Sequence, residues 1–164
     1  MSCILAISGV KNSGKTTVMS ALIRELRQRG LRVGAIKHDG HGFEGDRPDT
    51  DSWRHKQAGA ELSAVFSGER LSLVMDTRDA SVEWLLPFCT QLDLVLLEGF
   101  KDSGYPKIEV VRGAVSDKPV CDRKNLLAVV SDLPLKLAEV PLLHFGETAR
   151  LADLVEAFIQ KFGC

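Results

Sequence analysis

A stretch near the amino terminus has the residue types and spacing needed to hold phosphate groups. Residues 9–17, GVKNSGKTT, match G-x-x-x-x-G-K-[ST] in full. Gly9 and Gly14 let the backbone wrap closely around an anion, so that N–H groups point at phosphate oxygens. We expect Lys15 to reach the β- and γ-phosphates of a nucleotide and to be catalytic, and the Thr16 hydroxyl to ligate Mg²⁺. The other residues of the loop that we expect to contact the nucleotide are Lys11, Asn12, Ser13 and Thr17.

A phosphate loop of this kind needs a second acidic group for its metal ion. Glu98 comes directly after the apolar residues LVLL, 94–97, at the end of a predicted strand and on the edge where open α/β sheets bind ligands. We therefore expect Glu98 to hold the metal or to orient water, with capping of the turn at Gly99 as its alternative role. Asp93 precedes the same run and belongs to the wrong end of the sheet.

The polar loop at residues 38–52 carries further acidic candidates. Asp46, Asp49 and Asp51 could contact Mg²⁺ or orient the attacking water, and Asp51 could instead cap the helix that follows. His38 and His41 form an H-x-x-H pair, which is weak evidence for a transition metal. Lys37 and His38 lie at the end of a predicted strand, and we expect them to contact the nucleotide or an anionic substrate.

The identity of the base is left open by these residues, because a phosphate loop contacts only phosphates. Guanine is often bound by a carboxylate, and Asp132 follows an apolar strand where such a base-binding loop could begin. The same residue could equally be a turn residue before Pro134. No Asn-Lys-x-Asp motif occurs, no arginine finger is assignable, and Arg70 is a speculative source of positive charge.

Apolar runs and amphipathic stretches alternate along the chain, which predicts an α/β fold. We expect a three-layer sandwich of P-loop NTPase type, with a mostly parallel central sheet, helices on both faces and residues 1–164 as one domain. The predicted strands are 3–8, 32–37, 61–66, 71–75, 92–97, 107–111, 126–131 and 140–145. The predicted helices are 15–29, 53–59, 80–89 and 148–162.

Composition restricts the class of protein. The chain has 164 residues and a formal net charge of −1, which gives no general attraction to nucleic acid or to an anionic membrane. No apolar run approaches the roughly 20 residues that span a bilayer. We expect a cytoplasmic protein without a signal peptide. The four cysteines form no paired motif, so we expect free thiols.

Several motifs together resemble one family. The phosphate loop is followed in order by IKHDGH, DRPDTDSWRHKQAGA, LVLLEGFK and KIEV, from about residue 4 to residue 132. This combination resembles the molybdopterin-guanine dinucleotide biosynthesis protein B family. One departure concerns Asp49 and Thr50, where many relatives have Gly-Lys, so that a positive charge is missing near the expected phosphates.

The resemblance implies a GTP-binding accessory protein with Mg²⁺ and weak GTP hydrolysis. It implies that the protein assists a molybdenum cofactor guanylyltransferase of the MobA type, that it is a homodimer, and that molybdopterin is a further candidate ligand. Residues 100–112 are then a candidate dimerisation segment through Ile108, Val110 and Val111, with an ordinary internal strand as the alternative. Two other functions stay open: an ATP-dependent small-molecule kinase or ligase of the dethiobiotin-synthetase type, and a GTPase metallochaperone.

Overall fold

The computed structural model of the chain describes residues 2–40 and 42–162. Their contacts group into two compact units, residues 1–38 with 85–164 and residues 39–84, and each unit is described by itself. This division separates the polar loop and the elements that follow it from the rest of the chain. No helix among the described residues is both long and apolar enough to cross a membrane.

Most of the predicted elements are present. In chain order the strands are β1 (Cys3–Ser8), β2 (Val33–Lys37), β3 (Leu62–Phe66), β4 (Leu71–Met75), β5 (Leu94–Glu98), β6 (Lys107–Val111), β7 (Leu126–Ser131) and β8 (Leu142–Leu143). The α-helices are α1 (Lys15–Gln28), α2 (Asp51–Gln57) and α3 (Thr148–Phe162). The predicted α/β class with a mostly parallel sheet is confirmed.

The first unit contains a six-stranded sheet in the order β2-β5-β1-β6-β7-β8, and all its neighbouring strands are parallel. Consequently every strand ends at the same edge of the sheet. The segments that leave this edge after β5, β1 and β6 are neighbours, although they are far apart in the sequence. This edge is where open α/β sheets bind ligands.

Helices α1 and α3 cover one face of this sheet. Leu22 and Leu26 of α1 and Val155 of α3 are fully buried in one cluster with alternate residues of the strands. Each such side chain stabilises the fold by about 1.5–3 kcal/mol through removal of apolar surface from water. Strand residues that point to the opposite face, such as Ala6 and Leu97, are also fully buried. Both faces are therefore covered, as a parallel sheet requires.

Strand β6 lies in the interior of the sheet, between β1 and β7. Its five residues are buried, and its backbone pairs with strands of the same chain on both sides. A second copy of the chain therefore has no free edge of β6 to pair with. The alternative role, an internal strand of the same sheet, is therefore correct for β6, and dimerisation through residues 100–112 stays a prediction.

The second unit contains α2 and the antiparallel hairpin β3–β4. Ser63 of β3 is buried, and its hydroxyl donates to the carbonyl of Ser52 in α2 at 3.0 Å. The other face of the hairpin is apolar and exposed to solvent. Its large side chains are Leu62, Phe66, Leu71, Leu73 and Met75, which are 41–82% exposed; we call this set the hairpin face.

Three local predictions are wrong. The segment 80–89 forms two short 3₁₀ turns, Val82–Trp84 and Leu86–Cys89, because Pro87 has no N–H and disfavours a helical conformation in the residue before it. Strand β8 has two residues instead of six. Cys89 and Cys121 are free and buried, but Cys3 is disulfide-bonded, so the expectation of free thiols fails for Cys3.

Candidate nucleotide-binding site

The loop 9–17 connects β1 to α1 and has a backbone that requires glycine. Gly9 has a φ of 135°, and a Cβ atom there would lie 2.3 Å from the carbonyl oxygen of Val110. Gly14 has a φ of 98° and occupies the N-cap position of α1, where no side chain caps the helix. The first N–H groups of α1 are therefore available to an anion, which the positive end of the helix dipole favours.

The side chains of this loop differ in exposure. Ser13 is fully buried, and its hydroxyl has no hydrogen-bond partner in the part of the chain that the structure describes. The side chains that point to solvent belong to Lys11, Asn12, Thr16 and Thr17. A loop with free N–H groups and accessible polar side chains fits a phosphate group.

Lys15 is the first residue of α1 and lies among charged groups. Its ammonium donates to the carbonyl of Val10 at 2.7 Å. Burial lowers the pKa of Lys15, Glu98 opposes this shift by raising the pKa, and Lys37 adds to the lowering. These three side chains are consequently close enough to interact electrostatically at the edge of the sheet.

Thr16 and Glu98 are in direct contact. The hydroxyl of Thr16 donates to Oε1 of Glu98 at 2.8 Å, across 82 residues of sequence. Glu98 ends β5, which pairs directly with β1, and this pairing brings the carboxylate to the loop. A hydroxyl and a carboxylate are the hard oxygen ligands that Mg²⁺ prefers, with water and phosphate completing its octahedron. Thr16 and Glu98 therefore fit a Mg²⁺ ion bound with a nucleotide.

Asp93 lies at the opposite end of β5, as the sequence predicts. Its Oδ2 accepts a hydrogen bond from the backbone N–H of Arg32 at 2.6 Å. This bond joins the amino ends of the neighbouring strands β2 and β5. Asp93 is therefore placed away from the loop 9–17.

Lys37 and His38 lie beside Glu98. Lys37 ends β2 and is the cross-strand neighbour of Glu98, and the N–H of His38 donates to the carbonyl of Glu98 at 3.3 Å. The imidazole of His38 is exposed and lies 5.6 Å from the ring of Phe100, measured between centroids. Both predicted residues are thus at the same edge as Thr16 and Glu98.

The predicted acidic residues 46, 49 and 51 belong to the second unit, and His41 lies outside the described residues. A hydrogen bond from Ser52 lowers the pKa of Asp46, with further contributions from Arg47 and Thr50. Thr50, not Asp51, caps α2, because its hydroxyl accepts from the N–H of Trp53 at 3.3 Å. The capping role considered for Asp51 is therefore wrong; this residue is exposed in the first turn of α2.

The local backbone explains why Asp49 and Thr50 fit at the two positions where many relatives have Gly-Lys. Asp49 has a φ of 68°, a left-handed conformation that aspartate tolerates better than most residues and that glycine adopts freely. Thr50 is the cap just described. Both positions are thus occupied by residues suited to the local backbone of the second unit. Arg70, in the turn of the hairpin, also belongs to this unit.

Asp132 follows β7, on the other side of β1 from Glu98. Its Oδ1 accepts from the N–H of Gly113 at 2.7 Å, and the residue is exposed. This bond supports a turn-stabilising role and leaves Oδ2 without a hydrogen bond in the described part of the chain.

Two residues at the site are not identified from the sequence. Lys107 is fully buried, and its ammonium donates to the carbonyls of the turn that follows Glu98. Arg112 follows β6, and its guanidinium lies beside Gly14, on the ring of Phe145. In the sequence, the only sign that these two residues belong to the site is that each is a basic residue within or just after an apolar strand.

A transition-metal centre would need more ligands in one place. Among residues 2–40 and 42–162, no three His, Cys, Asp or Glu side chains are grouped so that they could hold a metal ion. A Mg²⁺ ion needs fewer ligands from the protein, because it keeps several waters and binds phosphate oxygens.

Comparison with known proteins gives a consistent result. Residues 4–132 match the family model of molybdopterin guanine dinucleotide synthesis protein B, MobB. The chain is 38% identical to the molybdopterin-guanine dinucleotide biosynthesis adapter protein of Escherichia coli, over 96% of this chain and 94% of that protein. It is 36% identical to the adapter protein of Haemophilus influenzae, over 97% of this chain and 90% of that protein. The crystal structure of Bacillus subtilis MobB superposes with a TM-score of 0.76 at 26% identity, covering 94% and 96% of the two chains.

Proposed function

Because the chain belongs to the MobB family, we propose that it is an adapter of molybdopterin guanine dinucleotide biosynthesis that works as a Mg²⁺-dependent GTP-binding protein. The adapter role rests on the family and its named relatives. The nucleotide part rests on one observation, the hydrogen bond between Thr16 and Glu98 beside Lys15. This contact supports a site for the β- and γ-phosphates and their metal ion.

In this proposal each group has a separate task. The backbone of the loop 9–17 surrounds the phosphates, and Lys15 neutralises their charge. Thr16 and Glu98 would hold Mg²⁺, which would neutralise phosphate charge. The role expected for Asp51 from the sequence stays a prediction. Lys37 and His38, beside Glu98, contact the nucleotide.

Hydrolysis is proposed to be slow. A P-loop protein reaches a high rate only when an arginine or a comparable group stabilises the charge of the transition state and a residue orients the water. Lys15 and Glu98 by themselves provide binding and partial stabilisation. This fits a protein that assists a guanylyltransferase of the MobA type and does not carry out the transfer itself.

Guanine recognition is assigned to Asp132. Its free Oδ2 can accept a hydrogen bond from the base, while Oδ1 keeps the bond to Gly113. A site built to hydrogen-bond a base rejects an analogue that lacks the matching donors by a large factor. GTP is therefore the proposed ligand rather than ATP.

The test is a calorimetric titration of the purified protein with GTP, ATP and GMP in the presence of Mg²⁺. We expect tighter binding of GTP than of ATP or GMP. A preference for ATP would refute the GTP assignment and support a kinase or ligase. Tight, pH-dependent binding of Zn²⁺ or Ni²⁺ without any nucleotide effect would instead support a metallochaperone.

Glu98→Gln tests the metal assignment, because it keeps the shape of the side chain and removes its charge. We expect Mg²⁺-dependent GTP affinity to fall roughly 10- to 100-fold, the usual effect of removing a carboxylate that orients a metal ligand. Glu139→Gln, at an exposed position, is the matched control. Unchanged Mg²⁺-dependent hydrolysis in Glu98→Gln would show that the carboxylate is assigned wrongly.

The partner proposals need their own measurements. The yield of molybdopterin guanine dinucleotide from a MobA-type enzyme, with and without this chain, tests the adapter role. Lys15→Met is the control, because we expect it to remove the stimulation. Molybdopterin binding to this chain is tested by direct titration.

A homodimer is the proposed assembly, formed through the hairpin face. Large exposed apolar patches such as the hairpin face mark interaction surfaces. The two-stranded sheet also has unpaired strand edges among the described residues. Leu73→Arg should shift the mass measured by light scattering from dimer to monomer. Ser72→Arg, exposed on the opposite face of the same strand, should leave the dimer intact. A wild-type monomer at all concentrations would refute this assembly.

A further inference from the structure

Arg112 is a basic side chain next to the loop 9–17 that has no partner of opposite charge among the described residues. Its Nε is buried without a hydrogen bond, and no described residue forms an ion pair with the guanidinium. Its central carbon lies 4.7 Å from the centroid of the Phe145 ring. A Cβ atom on Gly14 would lie 3.1 Å from its terminal nitrogen Nη2, so the guanidinium touches the loop.

The position of this guanidinium is fixed by its surroundings. The carbonyl of Arg112 accepts from the N–H groups of Val115 and Ser116, both at 2.9 Å. The next residue, Gly113, donates to Asp132. Phe145 supports one face of the guanidinium plane by a cation–π contact. The donors of Arg112 are therefore held in place before any ligand arrives, which reduces the entropy lost on binding.

The strand order decides which part of a nucleotide Arg112 faces. Strand β1 lies between β5 and β6, so Glu98 and Arg112 lie on opposite sides of the loop 9–17. In the proposed function, Thr16 and Glu98 hold Mg²⁺ with the β- and γ-phosphates on the β5 side. The β6 side then faces the other end of the phosphate chain.

We propose that Arg112 binds the α-phosphate of the nucleotide, from the side of the loop opposite to Glu98. This inference rests on the proposed nucleotide binding and adds a residue to it. A guanidinium is well suited to the role, because it is always charged and offers several donors in a plane. Arg112 is thus a binding residue for nucleoside di- and triphosphates alike, and it is not an arginine finger on the γ-phosphate.

The experiment compares Arg112→Met and Arg112→Lys in titrations with GTP, GDP and inorganic tripolyphosphate. Methionine keeps apolar contact with Phe145 but has no charge, whereas lysine keeps the charge. We expect Arg112→Met to weaken all three ligands by similar factors, roughly tenfold to hundredfold, as loss of a charge-assisted hydrogen bond does. Arg112→Lys should recover part of the loss. Arg24→Met, on the exposed face of α1, controls for the change in net charge.

Other results of these titrations would overturn the inference. Wild-type affinity in Arg112→Met would mean that the side chain only packs, and equal losses of affinity in the Met and Lys variants would mean that its charge does not bind the ligand. A loss for GTP but not for GDP would place Arg112 at the γ-phosphate. A loss for GTP with none for tripolyphosphate would place it at the nucleoside.

Lys15→Met separates this inference from the function on which it rests. If the wild type binds nucleotide and Lys15→Met does not, while Arg112→Met binds normally, only the role of Arg112 is refuted. If the wild type binds neither GTP nor GDP, both proposals are refuted.

Discussion

Replacing the buried Lys107 by methionine should destabilise the protein strongly. Lys107 opens β6 with none of its surface exposed, and its ammonium donates to the carbonyls of Ser103, Lys101 and Phe100 at 2.7, 3.1 and 3.3 Å. Phe100 has a φ of 53°, an uncommon conformation for a bulky residue, so the turn needs such support. Methionine fills the space of the lysine stem but gives these carbonyls no donor.

The size of the effect follows from the hydrogen bonds that are lost. A hydrogen bond to a charged group contributes about 1.5–3 kcal/mol, so the two shorter bonds give about 3 kcal/mol at the lower end of this range. For a chain of this length we expect the melting temperature to fall by roughly 6–12 °C. Thermal unfolding followed by circular dichroism measures this shift.

The control for Lys107→Met is Lys101→Met, which removes an exposed ammonium from the same turn. It should leave the melting temperature nearly unchanged. If both variants melted at the same temperature, the buried ammonium would not be what holds the turn after Glu98.

Three further predictions concern the loop, the cap and a buried thiol. Gly9→Ala should abolish nucleotide binding, measured by calorimetry, because its Cβ would meet the Val110 carbonyl at 2.3 Å; Gly68→Ala, in open space, should bind normally. Thr50→Ala should lower the free energy of unfolding in urea by about 0.5–2 kcal/mol through loss of the cap of α2, and an unchanged midpoint would contradict this. Burial, reinforced by Glu109, raises the pKa of Cys121 from 9.0 to about 12, so its thiol should resist iodoacetamide at pH 8 until the chain is unfolded. Since this folded-state pKa is the higher one, Cys121 should also make stability fall as pH rises from 9 toward 12, and a Cys121→Ala variant should lose less stability over that window.

The fold was largely predictable because its strands and long helices carry strong local signals. The bounds of β1, β6 and α3 agree with the apolar periodicity of the sequence. The helix predicted for residues 80–89 does not form, because Pro87 interrupts the segment. The order of the strands has no local signal at all, since it depends on which strands meet after folding. For the same reason β6 could be taken for an interface strand.

In the candidate site too, groups with a local sequence signal were predictable and groups brought together only by folding were not. The loop 9–17 is continuous in sequence, and Glu98 follows from the rule that strands bind ligands at their carboxyl ends. Arg112 and Phe145 become neighbours only through the pairing of β6, β7 and β8. Lys107 looked like the polar start of a strand, and only the path of the turn after Glu98 shows why a charge is buried there.

The strand order also explains why the sequence predicts phosphates better than it predicts a base. The groups proposed for the metal and the terminal phosphates follow or end β1, β2 and β5, where the sequence carries recognisable charged residues. The opposite side of the loop is formed after β6, β7 and β8, by Arg112, Asp132 and Phe145. There, one of the two carboxylate oxygens of Asp132 already accepts a hydrogen bond from the backbone N–H of Gly113. A carboxylate that holds a turn and one that binds guanine have the same sequence context, so the sequence does not distinguish the two roles of Asp132, and the proposed preference for GTP depends on its Oδ2.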